Sequence, residues 1–371
     1  MPDARTAPPA TPFADAVNPA PPHVPLAIAT RGPATESVHY GSVAVVDRDG
    51  ALLYAAGDPQ FLTMTRSALK PFQAVPFVAA GGVQRFGYTA PQIALLCASH
   101  SGEPRHVAAV ADMLVKSGST PDELQCGNHA PGYFEVRGEV PPPPPWSPLA
   151  HNCSGKHSGM LAYCVHCGLP KQSYLAYDHP LQQAIRRSVA HFTGIAEGDL
   201  VAGIDGCSAP NYGVPLAALA RGIAKLASER DDPVYGPAPG ILADAMVAHP
   251  EMVSGEGRND QALMRAGRGE WVAKIGAEGV QVIGVRTSGL GIAIKVADGS
   301  KRGLHPATVA VLDQLGLLDA DQRAQLAPWR EPTIRNYRGI VTGTVRPLVV
   351  MDKIKGSKPA HRADAITLGS R

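Results

Sequence analysis

The sequence predicts an α+β protein, with a mainly antiparallel sheet drawn from both chain ends and a large helical insertion between them. Three observations support this: β-branched runs around turn dipeptides near the start, the same pattern near the end, and helical periodicity through the middle. In the first zone, "VPLAIATRG" and "SVHYGSVAVVDRDGALLYAAGD" surround Asp49-Gly50, a dipeptide suited to a tight hairpin turn. In the last, "VQVIGVRTSGLGIAIKVADG" sets Ser288-Gly289 between two apolar runs, and strands of both zones are expected to share one sheet. Between them, "HVAAVADMLVKSG", "GMLAYCVHCG", "LQQAIRRSVAHFTG" and "GVPLAALARGIAKLASE" carry apolar residues three and four apart. The last segment places Leu216, Leu219, Ile223 and Leu226 on one stripe, the pattern of core packing. "PPPPPW", residues 141–146, reads as an extended surface crossing.

The chain has 371 residues, 44% of them hydrophobic, enough for a well-buried core. Its formal net charge of +2 is small and its basic residues are scattered, which argues against a nucleic-acid or other polyanionic partner. Residues 1–23, rich in Pro and Ala, are expected to form a disordered tail, and residues 24–371 a single two-lobed domain. No apolar run reaches the roughly 18 residues a membrane span requires, so a cytoplasmic location is expected. The six cysteines then read as free thiols or ligands rather than disulfides.

Chemistry is suggested first by "TMTRSALKPFQ". Ser67 and Lys70 are three residues apart, so on a helix they share a face, and a lysine kept neutral by its surroundings can activate a serine. Serine β-lactamases and penicillin-binding proteins use S-x-x-K in this way, with a Lys-Thr-Gly triplet on a later strand. Here Lys274-Ile275-Gly276 precedes a strand hairpin but lacks the hydroxyl. The plain alternative is a helix cap with a solvated lysine. A second cluster, "LLCASHSGEPRH", ends an apolar run in Ser99 and His100, which read either as catalytic groups or as turn caps. The third, "HNCSGKHSGM", lacks the phosphate-loop pattern and puts Cys153 and Lys156 one turn apart at a helix start, where a thiolate is favoured. Cys207 in "DLVAGIDGCSAPNYG" is a possible second thiolate for a zinc site. Cys164 and Cys167 have the competing C-x-x-C spacing, and within an apolar helix they read as buried free cysteines.

Six collinear blocks, "TRSALKPFQ", "CASHSGE", "HNCSGKHSGML", "GIDGCSAPNYGVPL", "GEGRNDQALM" and "KIGAEG", together resemble the L-asparaginase II family of the rhizobial type, over about residues 24–350. The resemblance implies a fold similar to serine β-lactamases and glutaminases, a homodimer, and hydrolysis of L-asparagine to L-aspartate and ammonia. It also implies two Ser-Lys pairs, Ser67 with Lys70 and Ser99 with Lys274, and one zinc ion held by Cys153, Lys156 and Cys207. For the substrate's carboxylate the candidates are Arg66 and Arg258, since a guanidinium binds it bidentately; for its amine, or the metal's surroundings, Asp205. His100 is a further candidate to bind substrate. The competing readings are a glutaminase, a penicillin-recognising serine hydrolase, and a non-catalytic zinc-stabilised binding protein.

Overall fold

The computed structural model describes residues 21–354. The expected tail lies outside them except for residues 21–23, where the His23 ring bonds Ser42 Oγ at 2.8 Å and packs edge-on against Phe61. The chain opens with β1 (Val24–Arg31), β2 (Ala34–Val46), β3 (Leu52–Ala56) and β4 (Leu62–Met64). Helices α1 (Lys70–Ala79), α2 (Gly82–Phe86), α3 (Ala90–Leu96), α4 (Pro104–Lys116), α5 (Tyr133–Arg137), α6 (Ser154–Cys167) and α7 (Pro180–Thr193) follow. Next come β5 (Val201–Ile204), β6 (Pro210–Pro215), α8 (Leu216–Ser228), α9 (Ala238–Ala248), α10 (Pro250–Val253) and α11 (Asn259–Ala266). The chain returns through β7 (Trp271–Gly276), β8 (Val280–Val285), β9 (Gly291–Val296), α12 (Lys301–Gln314), α13 (Ala320–Arg330), β10 (Thr333–Arg335), β11 (Val341–Pro347) and β12 (Asp352–Lys353).

The main sheet runs β10-β11-β1-β2-β9-β8-β7, all pairs antiparallel, with β3 and β12 branching from β2. Strands from both chain ends thus share one sheet: β2 meets β9 with Val43 opposite Ile294. The two expected turns join β2 to β3 and β8 to β9, with Gly50 and Gly289 at positive φ. A small second sheet, β4-β6-β5, sits in the helical part. The four periodic segments form α4, α6, α7 and α8, and the whole α8 stripe is buried. Residues 141–146 form no helix or strand.

Every residue of β7 and β8 is buried, so this side of the sheet is covered on both faces, and one hydrophobic core joins it to the helices. That core includes Phe72 of α1, Leu95 of α3, Leu161 of α6 and Ile283 of β8. The chain therefore crosses from the sheet into the helical lobe at the segment carrying Ser67, and returns at β7 carrying Lys274.

Candidate active site

Four of the sequence-selected residues lie where the lobes meet. Ser67 is in a single 3-10 turn, Arg66–Leu69, that leads directly into α1. The turn is held in two ways. Arg66 has φ 48°, a left-handed conformation unusual for a side-chain-bearing residue, and the Asn211 amide of β6 brackets it, Oδ1 accepting from Arg66 N at 3.0 Å and Nδ2 donating to Arg66 O at 3.1 Å. Gly276, at the end of β7, supports it from the other side: a Cβ there would lie 2.8 Å from Thr65 O and 3.3 Å from Ala68 N. The glycine of the incomplete triplet thus lets the serine turn rest against the strand that bears Lys274.

Lys70 does not bond Ser67. Its amine reaches past that serine to Ala98 O at 2.5 Å, Ser99 Oγ at 3.0 Å and Asn152 O at 3.4 Å. Sharing a helix face does not fix where a long side chain ends, and two buried carbonyls offer Lys70 what Ser67 cannot. Lys274 also lies 3.0 Å from Ser99 Oγ, so both lysines converge on one serine. Both amines are buried, whereas Ser67 is half-buried and its hydroxyl has no hydrogen-bond partner among the described residues. Burial pushes the Lys274 ammonium down to about 8, helped by Lys70 and Arg258 and opposed by Asp260. The fully buried Asp260 lies 3.4 Å from Lys274 Nζ and accepts from Ile275 N and Gln281 Nε2. It stands in the quoted "GEGRNDQ", yet sequence reasoning did not single it out, as it did not single out Asn211.

The remaining candidates fall into different settings. Arg66 is already engaged, its Nε 2.9 Å from Asp205 Oδ1. Burial would raise the Asp205 carboxyl, but Lys156 and the Arg66 bond outweigh it and hold it below its ordinary range. Arg258 precedes α11 beside Gly132 and has no ion pair or side-chain hydrogen bond among the described residues, although burial disfavours its charge. It is the uncommitted guanidinium of the pair. His100 is occupied at both nitrogens: Nδ1 accepts from Gly102 N at 3.2 Å, and Nε2 lies 2.9 Å from Ser154 Oγ. Burial, with His106 and Lys70 nearby, holds its pKa well below 6.5, so the neutral ring ties its own loop to the start of α6 and has no free nitrogen to act as a base.

The cysteine block lies alongside. Cys153 caps α6, and a Cβ on Gly155 would lie 2.5 Å from Leu95 O, so this glycine lets the helix start abut α3 and the serine loop. Lys156 Nζ lies 3.0 Å from Cys207 Sγ. A hydrogen bond from Cys207, aided by Lys70 and Lys156, holds the Cys153 thiol well below its ordinary pKa against burial. Burial works against the Lys156 ammonium, but Cys207, Cys153 and Asp205 raise it. The cluster therefore concentrates negative charge on sulfur around one cation. Two thiolates and an amine suit a zinc ion, and Lys156 would release its proton to ligate it. Among the described residues, no three His, Cys, Asp or Glu side chains are grouped to hold a metal, so such a site depends on the lysine. All six cysteines are free; Cys164 is buried, but Cys167, at the last helical position of α6, is exposed rather than buried as expected.

The fold and site thus define an α+β protein with a buried serine–lysine cluster adjoining a cysteine–lysine cluster. The model of the L-asparaginase II family matches residues 27–347, and the chain belongs to that family, which makes it an amidohydrolase of the asparaginase type. No curated protein sequence matches significantly. Among solved structures, a β-lactamase from Mycobacterium bovis is similar at 14% identity, covering 74% of this chain and 94% of its own, with a TM-score of 0.40. A β-lactamase described as putative, from Bacteroides dorei, gives 12% identity, 74% and 93% coverage and a TM-score of 0.38. Mglu gives 17%, 76% and 62%, and 0.33. No helix among the described residues is long and apolar enough to cross a membrane.

Proposed function

We propose that this protein hydrolyses L-asparagine to L-aspartate and ammonia through a serine nucleophile activated by lysine. The observation that carries this reading is the Ser99 hydroxyl, 3.0 Å from both lysine amines, beside a half-exposed Ser67 on the adjoining turn. Lys70 has three acceptors for three N–H groups, Ala98 O, Asn152 O and Ser99 Oγ, as an ammonium requires. Lys274 has two other acceptors, Ile275 O and Asp260, so in its neutral form a lone pair remains for the Ser99 O–H. Ser99 thus accepts from one lysine and donates to the other, which makes it a proton conduit.

Ser67 Oγ attacks the side-chain amide carbon, and its proton passes through a bridging water into this lysine–serine chain and onto the neutral Lys274 amine. The C–N bond then breaks and the proton leaves with ammonia, leaving an aspartyl ester on Ser67. A water attacks the ester and gives its proton to the same base, which returns it to Ser67 Oγ as the acyl C–O bond breaks and aspartate leaves. Arg258 pairs with the substrate α-carboxylate, while Asp205, held by Arg66, faces the α-amine. Cys153, Lys156 and Cys207 would hold zinc, whose positive charge would fix the orientation of polar groups beside it. Free thiols throughout agree with a cytoplasmic setting. The reading includes a homodimer, which mass measurement in solution tests.

The experiment is ammonia release from L-asparagine and L-glutamine in parallel, with acid-quenched protein mapped for an aspartyl ester. An ester on Ser67, absent in Ser67→Ala, supports the reading; one on Ser99 reverses the serine roles. Folded, zinc-loaded protein that releases ammonia from neither amide would exclude it and favour a β-lactam hydrolase or a binding protein. Faster release from glutamine would make it a glutaminase, since one methylene is worth only ~1–3 kcal/mol of discrimination.

A further inference from the structure

Gln281 stands in β8 between Val280 and Val282 and is fully buried, a setting in which a free amide would be costly. It is engaged at both ends: Nε2 donates to Val282 O at 3.1 Å and to Asp260 Oδ1 at 3.2 Å, and Oε1 accepts from Asn259 Nδ2 at 3.0 Å. Val282 O is a backbone carbonyl and takes only a donor, so the amide cannot be turned over. At the other oxygen of Asp260, Ile275 N on the open edge of β7 donates at 3.0 Å and Lys274 Nζ lies at 3.4 Å. Each of these groups around Asp260 is a donor, which suits a carboxylate anion and offers no acceptor for a carboxyl hydrogen. An acid in the first turn of a helix ordinarily serves that helix, but here the Gln261 amide of α11 donates to Ser254 Oγ at 3.2 Å, while Asp260 is turned towards β7 and β8.

We infer that Asp260, held by Ile275 N and Gln281, is the positioning residue of the base: it aims the Lys274 amine at Ser99 and offsets the charge that amine gains, completing a serine–lysine–aspartate relay. This deepens the reading above and rests on it. As Ser67 loses its proton, Ser99 passes its own to the Lys274 lone pair and is reprotonated through the water, and the new ammonium lies against Asp260. The ammonium then gives a proton to the departing nitrogen, and Asp260 keeps its charge throughout. The other groups around the amine cannot do this. Lys70 on α1 and Arg258 ahead of α11 repel a further positive charge, and Cys97 at the end of α3 is a thiol pushed up to about 12 by burial. On α12, His305 faces Asp260 and is held at about 4 by burial, so it is neutral. Burial and the two cations bring Lys274 down to about 8 while Asp260 raises it, so the anion keeps the buried amine a useful base.

The test reads Asp260→Asn in two ways. In steady-state ammonia release from L-asparagine, the rise of kcat/KM near pH 8 should move down by about 1–3 pH units, because losing the anion lowers the proton affinity of Lys274. Above that limb kcat should fall about tenfold, since a weaker base transfers the proton less well, and KM should change less than kcat. A structural role alone would lower the rate and leave the limb in place. In parallel, a nitrogen NMR titration of the Lys274 amine, identified by its absence in Lys274→Met, should show the same downward shift and needs no turnover. A limb and a titration both unmoved in folded Asp260→Asn would overturn the inference. If Asp260→Asn does not fold, Lys274→Met/Asp260→Asn decides: recovered folding supports an aspartate that serves the lysine, and continued failure overturns it in favour of one that serves the strand edge. Wild-type protein that releases no ammonia would remove the asparaginase reading alone, and the titration would still decide the pairing.

Discussion

Gly276→Ala tests whether the serine turn depends on the strand bearing Lys274. Gly276 does not have a positive φ, so alanine fits its backbone, and the effect must come from contact. The added methyl would lie 2.8 Å from Thr65 O, where ordinary contacts begin at 3.4 Å, so the turn or strand must move by about 0.6 Å. Both neighbours on the turn are backbone atoms, which cannot swing aside as a flexible side chain would. Overpacking of this size costs about 1–3 kcal/mol of stability. A misplacement of 1 Å in an active site can cost ~10²-fold in rate, so a shift of this size should lower kcat on L-asparagine roughly tenfold. Asn211 also holds the turn, so the displacement should pass to Ser67 without freeing the segment. The assay is steady-state ammonia release together with urea unfolding of the same preparation. Unchanged kcat and unchanged stability would refute the contact and, with it, the placement of Ser67 beside β7.

Further outcomes follow from the same geometry. Lys274→Met should abolish turnover, and wild-type kcat/KM should rise with pH through about 8 as Lys274 loses its proton; a profile flat from pH 6 to 10 would exclude it as the base. The folded value lies below the ordinary 10.5, so the unfolded chain binds the extra proton between the two, and the burial cost, on the order of 3 kcal/mol, is fully present below pH 8 and relieved as pH rises towards 10.5, read by unfolding at fixed pH. Arg258→Met should raise KM for L-asparagine about 10- to 100-fold, the worth of a charged hydrogen bond, with little change in unfolding; an unaltered KM would assign the carboxylate elsewhere. Cys207→Ala should lose stoichiometric zinc, measured by metal analysis after dialysis, and retained zinc would remove Cys207 from the ligand set.

Much of the fold was legible because it depends on local chemistry. Asp49-Gly50 and Ser288-Gly289 mark real hairpins, and the α8 stripe marks a buried helix face. Site residues were legible as types, since serine, lysine and cysteine are unusual at the ends of apolar runs. Their partnerships were not. The spacing of Ser67 and Lys70 says that they share a face, but the destination of the Lys70 amine was set by the Ala98 and Asn152 carbonyls, brought there by α3 and α6. Asp260 escaped notice because a carboxylate in a polar run reads as surface; only β7 and β8 closing over it make it a buried counter-ion.

The pairing of β2 with β9 has a consequence during synthesis. Residues Gly41 to Val46 emerge from the ribosome early, but their partners begin only at Gly291. At ordinary elongation rates of about 5–20 residues per second, that edge waits at least ten seconds or so for its neighbour. During this interval the apolar run Val43–Val46 is an open strand edge, the kind that pairs with other chains. Lys274 emerges shortly before β9, so the lysine–serine cluster and the β2–β9 pairing become possible at nearly the same point in synthesis. The β2 edge stays unpaired until residue 291 is made, so chaperone demand during translation should peak while the helical part is being made.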